Sequence, residues 1–160
     1  MPEVEMFVSL VIPDNTAITA SNTLKRMGST KILNLKREIY YKFNFNGDTK
    51  VFENKISKVD LLVNHNKHKV EFKKPNEPFP DGRIRILVTD TENSSNSSSS
   101  LLSSLKNSAG MKNIKKMETG TLWILAIDDK PENVMPYAWD IARKLLYNKH
   151  YQKAEILARR

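Results

Sequence analysis

The stretch LLVNHNKHKVEF, residues 61–72, returns near the end of the chain as LLYNKHYQKAEIL, residues 145–157. Both run Leu-Leu, any residue, Asn, and then reach a Glu seven positions later: Asn64 to Glu71 and Asn148 to Glu155. A repeat of this length within 160 residues constrains the fold more than any bulk property, because each copy must be one supersecondary unit too small to bury its own apolar face.

The order of elements repeats as well. Glu5 to Ile12 has the β-branched, apolar composition of a buried strand, and Pro13-Asp14-Asn15 ends it while offering N-cap side chains. Ala17, Ala20, Leu24 and Met27 then form a helical stripe, and Gly28 suits a left-handed C′ position. Lys31 to Phe45 is long for one strand, so a hairpin is expected, with Ile39, Tyr41, Phe43 and Phe45 alternating on its second arm. Phe52, Ile56, Val59 and Val63 mark a second helix ending near Asn64, before a strand over Val70 to Phe72. The second half reads alike: strand Ile84–Thr89, a helix around Leu101, Leu102, Leu105 and Ala109 closed by Gly110, hairpin Lys112–Ile127, helix Pro131–Tyr147 and strand Ala154–Leu157.

The expected fold class is therefore α+β: two ferredoxin-like βαββαβ repeats, each a four-stranded antiparallel sheet with two helices on one face, packed as a pseudo-dimer across a two-fold axis. Residues 1–74 form the first repeat and 83–160 the second. Between them KKPNEPFPDG carries three prolines, so 75–82 reads as a stiff connector. The serine-biased segment after Asp90 is expected to be a mobile loop over Asn93–Ser97.

Composition narrows the chemistry. The absence of cysteine excludes disulfides, thiolate metal sites and cysteine nucleophiles. The 26 Lys/Arg and 18 Asp/Glu divide as 13 and 9 in each half, so the net charge of +8 is not a basic tail. MPEVEMFVSL lacks the basic n-region of a signal peptide and no apolar run is long enough to span a membrane, so a cytoplasmic protein is expected. Five scattered glycines form neither a phosphate-binding loop nor a dinucleotide fingerprint. His65, His68 and His150 lie near helix ends, where a cation is favourable, and Asp128-Asp129 precede Pro131 at a helix start; neither group is read as a metal site. No catalytic residue, metal or cofactor is expected.

The repeated LLxN…Glu ending, the glycine-closed first helix, and the hairpins carrying Lys36-Arg37 and Thr119-Gly120 resemble PurS, the small subunit of phosphoribosylformylglycinamidine synthase. The likeness covers 4–72 and 84–157, each half resembling one subunit. It implies a non-catalytic subunit bridging a glutaminase (PurQ-like) and an ATP-dependent synthetase (PurL-like) in de novo purine biosynthesis, with the tandem arrangement making a dimer covalent. Lys36, Arg37, Asn64, Glu71, Asn148 and Glu155 are the partner-interface candidates; Asn64 and Asn148 would alternatively only end helices, since Asn tolerates the left-handed conformation. Two rival readings stay open. Basic and aromatic residues alternate from Lys36 to Phe43, with Tyr40 and Tyr41 available to stack on RNA bases, and an ACT-like pair would hold a small molecule between its halves.

Overall fold

The computed structural model describes residues 2–79, 81–91 and 96–157, with only the backbone of 96–98. The described residues form an α+β fold: one six-stranded antiparallel sheet in the order β3-β1-β2-β5-β4-β6 and four helices. The first half supplies β1 (Glu3–Leu10), α1 (Asn15–Arg26), β2 (Ile32–Phe45), α2 (Thr49–Ile56) and β3 (His68–Lys73). The second supplies β4 (Ile84–Asp90), α3 (Asn96–Asn107), β5 (Ile114–Ile127), α4 (Pro131–Ile141), a π-helical turn over Ala142–Leu146, and β6 (Gln152–Ile156). The serine loop expected over 93–97 falls largely outside the described residues, and α3 begins within it at Asn96.

Each half contributes three strands rather than four. The two expected hairpins are each one uninterrupted 14-residue strand, β2 and β5. A tight hairpin turn needs residues at positive φ. Neither strand has one, and Gly120 sits in mid-strand rather than in a turn. Nor do two separate sheets pack face to face. β2 and β5 pair antiparallel along their whole length and fuse the halves edge to edge, which satisfies backbone groups that a lone half would leave as an open edge.

The join has internal two-fold symmetry. β2 and β5 are equal in length and start at Ile32 and Ile114, an offset of 82, so residue 39 corresponds to 121. Ile39 and Thr121 are paired with each other, placing the pseudo-dyad between them. The strand ends obey the same rule: the Asp128 N–H donates to the Lys31 carbonyl (2.8 Å), as the Asn46 N–H donates to the Asn113 carbonyl (3.0 Å). Equivalent positions on the same surface of both partners define an isologous contact.

Register assigns the faces. Tyr41 and Phe43 lie opposite Met6 and Val4 on β1, and Leu125 and Trp123 opposite Ile84 and Ile86 on β4. All the helices cover this face, in two cores. One unites Val4, Met6, Phe43, Phe45 and α2 residues Phe52 and Ile56 with Leu105 of α3. The other unites Ile86, Trp123, Leu125 and α4 residues Ala138 and Ile141 with Leu24 of α1. The first helix of each half thus completes the core of the opposite half. Both end alike, at Gly28 (φ +96°) and Gly110 (φ +72°), a conformation glycine adopts without a steric penalty.

The opposite face is partly closed by the connector. Phe79 packs edge-on to Phe7, with centroids 5.9 Å apart, and lies 4.1 Å from the Arg85 guanidinium. The proline-rich segment is therefore part of the fold, lying over Phe7 on β1 and Arg85 on β4.

Candidate functional site

Two clefts open at dyad-related ends of this second face. Pairing of Met6 with Tyr41 and of Ile86 with Trp123 makes β1 and β4 equivalent at an offset of 80; pairing of Phe7 with Glu71 and of Leu87 with Glu155 does the same for β3 and β6 at 84. Under these offsets the clefts are the same place in the two halves, built with different charges.

The first, of about 470 Å³, is bounded by the end of β1, the start of β2, the N-terminus of α1, Lys69 of β3 and the connector, with Ile124 of β5 on its wall. Lys36, Arg37, Lys69, Arg83 and Arg85 line it, against the carboxyls of Asp14, Glu38 and Asp81. The second, of about 710 Å³, has Glu3, Glu5, Asp90, Glu118 and Glu155 against Lys42, Lys116 and Lys153. Position by position, Arg83 replaces Glu3, Arg85 replaces Glu5, and Lys36 stands where the other half has Glu118. Glu38 corresponds to Gly120, where no side chain fits: a Cβ there would lie 2.6 Å from the Val88 carbonyl oxygen.

Each cleft holds a buried ionisable group bound to a different partner, and the Arg85 Nε is left without one among the described residues. The Tyr40 hydroxyl donates to Glu5 Oε2 at 2.7 Å. Arg85 donates from Nη1 and Nη2 to the two oxygens of Asp81, at 2.7 and 2.9 Å, beneath the Phe79 ring. This bidentate bond is the main reason the Asp81 carboxyl titrates at about 2 rather than 3.8. Burial pushes Glu38 above the usual carboxylate range, against the pull of Arg85.

Because the folded Asp81 value is depressed, its contribution is complete above the ordinary value of 3.8 and disappears as pH falls towards about 2. Its side chain is 40% exposed, which limits that contribution to about 1 kcal/mol. Asp81→Asn should therefore melt lower than the wild type at pH 7, with a clearly smaller deficit at pH 2. An equal deficit at both pH values would show that this charge pair is not the cause.

The six sequence candidates do not form one site. Lys36 and Arg37 line the basic cleft, where Arg37 Nε and Nη2 donate to Asp14 at 3.0 and 3.2 Å. Glu71 lies on the outer strand β3, 3.4 Å from Lys73, while Glu155 lies on β6 in the acidic cleft. Asn64 and Asn148 are turn residues. Asn64 Oδ1 accepts from the Asn66 N–H at 3.0 Å and Asn148 Oδ1 from the His150 N–H at 2.9 Å. Their own N–H groups donate to His68 Nδ1 and Gln152 Oε1 at the start of the following strands. Neither has positive φ, so they nucleate Asx turns into β3 and β6 instead of ending helices in the left-handed conformation.

The aromatic platform expected for RNA does not form either. Tyr41 is buried in the helix-covered core and Tyr40 is engaged with Glu5 and Phe7, so neither ring is free to stack on a base. What the sequence reading missed is the cationic set Lys69, Arg83 and Arg85. Its signal was present: Glu3 and Glu5 become Arg83 and Arg85 once the repeat is aligned strand by strand.

Fold and clefts together define an internally two-fold α+β sheet protein whose ends differ in charge. No family model matches the chain, and no curated protein is significantly similar to it. Among the described residues, no helix is long and apolar enough to cross a membrane.

Proposed function

We propose that the chain is a non-catalytic, PurS-like subunit that bridges the glutaminase and the ATP-dependent synthetase of phosphoribosylformylglycinamidine synthase in the cytoplasm. The observation that supports this reading is the charge reversal across the dyad. A symmetric scaffold offers the same surface twice and takes two copies of one partner. A duplicated scaffold with Lys36 and Arg83 at one end and Glu118 and Glu3 at the other takes two unlike partners, because like-charge juxtaposition excludes the wrong one at each end.

The test is a pull-down on the immobilised chain with both purified synthase subunits, glutamine and ADP. Both subunits should be retained together. Lys36→Glu with Arg83→Glu should release one of them, and Glu3→Lys with Glu118→Lys the other. Retention of neither subunit by the wild-type chain rejects the proposal.

A further inference from the structure

We propose that the basic cleft is a binding site for a small phosphate monoester, one molecule per chain. Its cations fall into two sets. Arg37 and Arg85 are fixed by ion pairs to Asp14 and Asp81, at 3.0 and 2.7 Å, and serve as walls. Lys36, Lys69 and Arg83 line the same cleft and enter no ion pair among the described residues. Glu38 is the remaining carboxyl of the cleft, half-buried and facing Arg85, Lys69 and Lys36 without closing an ion pair with any of them. The five cations of the lining exceed its three carboxyls by two, an excess that suits a dianion better than a monoanion. A phosphate monoester carries roughly −1.5 to −2 at neutral pH, against −1 for a carboxylate.

The rest of the cleft fits an organic body. Leu10, Ile12, Ala17, Leu35 and Ile124 supply apolar wall beside the cations, and 470 Å³ exceeds what inorganic phosphate alone would fill. The N-terminus of α1 is not the anion subsite, because the Thr16 and Ala17 N–H groups already donate to Asp14 Oδ1 at 3.0 and 3.2 Å. The dyad-related cleft provides an internal control. There Glu3 and Glu118 replace Arg83 and Lys36, leaving only Lys153 as the counterpart of Lys69, so an anion is repelled from a cavity of related shape.

The experiment is an NMR titration of the whole ¹⁵N-labelled chain with phenyl phosphate, phenol, benzoate and an oligoglutamate peptide in parallel. Phenyl phosphate should shift the amides of Leu10, Ala17, Lys36, Lys69 and Arg83 along one saturable isotherm with unit stoichiometry. Benzoate should bind more weakly and phenol not at all. Lys69→Ala and Arg83→Ala should each weaken phenyl phosphate about tenfold, the loss of one charge-assisted hydrogen bond. Lys69 is exposed and Arg83 half-buried, so neither truncation removes core, and Lys116→Ala in the acidic cleft should leave affinity unchanged. Two equal sites, shifts centred on the acidic cleft, equal binding of phenol, unaltered affinity in both cleft variants, or binding of the peptide alone would each overturn the proposal. Neither synthase subunit enters the experiment, so this inference and the bridging role fail independently.

Discussion

Expressed separately, residues 1–79 and 81–160 should each fail to give the cooperative unfolding transition of the intact chain, and mixing them should restore it. The reason is the exchange of first helices. Without the second half, the core that holds Leu24 of α1 loses Ile86, Trp123, Leu125 and Ile141 and keeps Ile32 and Leu35; without the first, the core that holds Leu105 of α3 loses Phe43, Phe52 and Ile56 and keeps Ile114 and Met117. Each piece would also expose the long strand through which the halves pair. Self-association offers the first piece a poor substitute. Pairing β2 with itself about Ile39 would set Lys36 opposite Lys42 twice, whereas the intact join sets Lys42 opposite Glu118 and Lys36 opposite Ile124. Like charges directly opposed on a sheet are destabilising. Size-exclusion chromatography and thermal unfolding of each piece and of the equimolar mixture decide the matter; a lone piece that is monomeric and melts cooperatively near the intact chain's temperature would refute the shared-core account.

Phe43→Ala should cost about 3–5 kcal/mol, the range for truncating a buried aromatic ring. Phe43 is fully buried and lies opposite Val4 on one side and Met117 on the other, with its ring edge-on to Phe52 at 5.4 Å. It joins both halves within one core, leaving little room for the neighbours to collapse into the space. In a chain of this size the loss corresponds to a melting temperature lower by about 10 °C. Leu125, its dyad equivalent, is equally buried, and Leu125→Ala should fall by about 2–5 kcal/mol. Val51→Ala, on α2 at a site 51% exposed, is the control and should stay within about 0.5 kcal/mol. Chemical denaturation checks all three, and a Phe43→Ala loss below about 1 kcal/mol would show that the core repacks around the missing ring.

The charge reversal explains why bulk charge was a poor guide to the site. Each half carries the same totals, so no count by half separates them. The asymmetry is one of position. Glu3 and Arg83, Glu5 and Arg85, Lys36 and Glu118 exchange signs at equivalent points of the sheet, and other charges in each half restore the balance.

Local chemistry was enough to read the elements that depend on neighbours in sequence. Asp14 was legible as an N-cap and accepts from the N–H groups of Thr16 and Ala17; Gly28 and Gly110 were legible as helix C-termini and have positive φ. The recurring turns at Asn64 and Asn148 were legible because both meet the same local demands. The long strands were not, since nothing within Lys31–Phe45 states whether its edges will be paired. A 14-residue strand persists here because β5 pairs with one edge from Ile32 to Phe45 while β1 holds the other from Glu38 to Asn44, and β5 lies far away in sequence. Helix exchange, the edge-to-edge join and the gathering of Lys36, Lys69, Arg83 and Arg85 into one cleft are likewise tertiary outcomes. Periodicity and capping act over a few residues and so are written along the chain, whereas which half covers which core is decided only when the apolar faces and open strand edges of both halves are buried together.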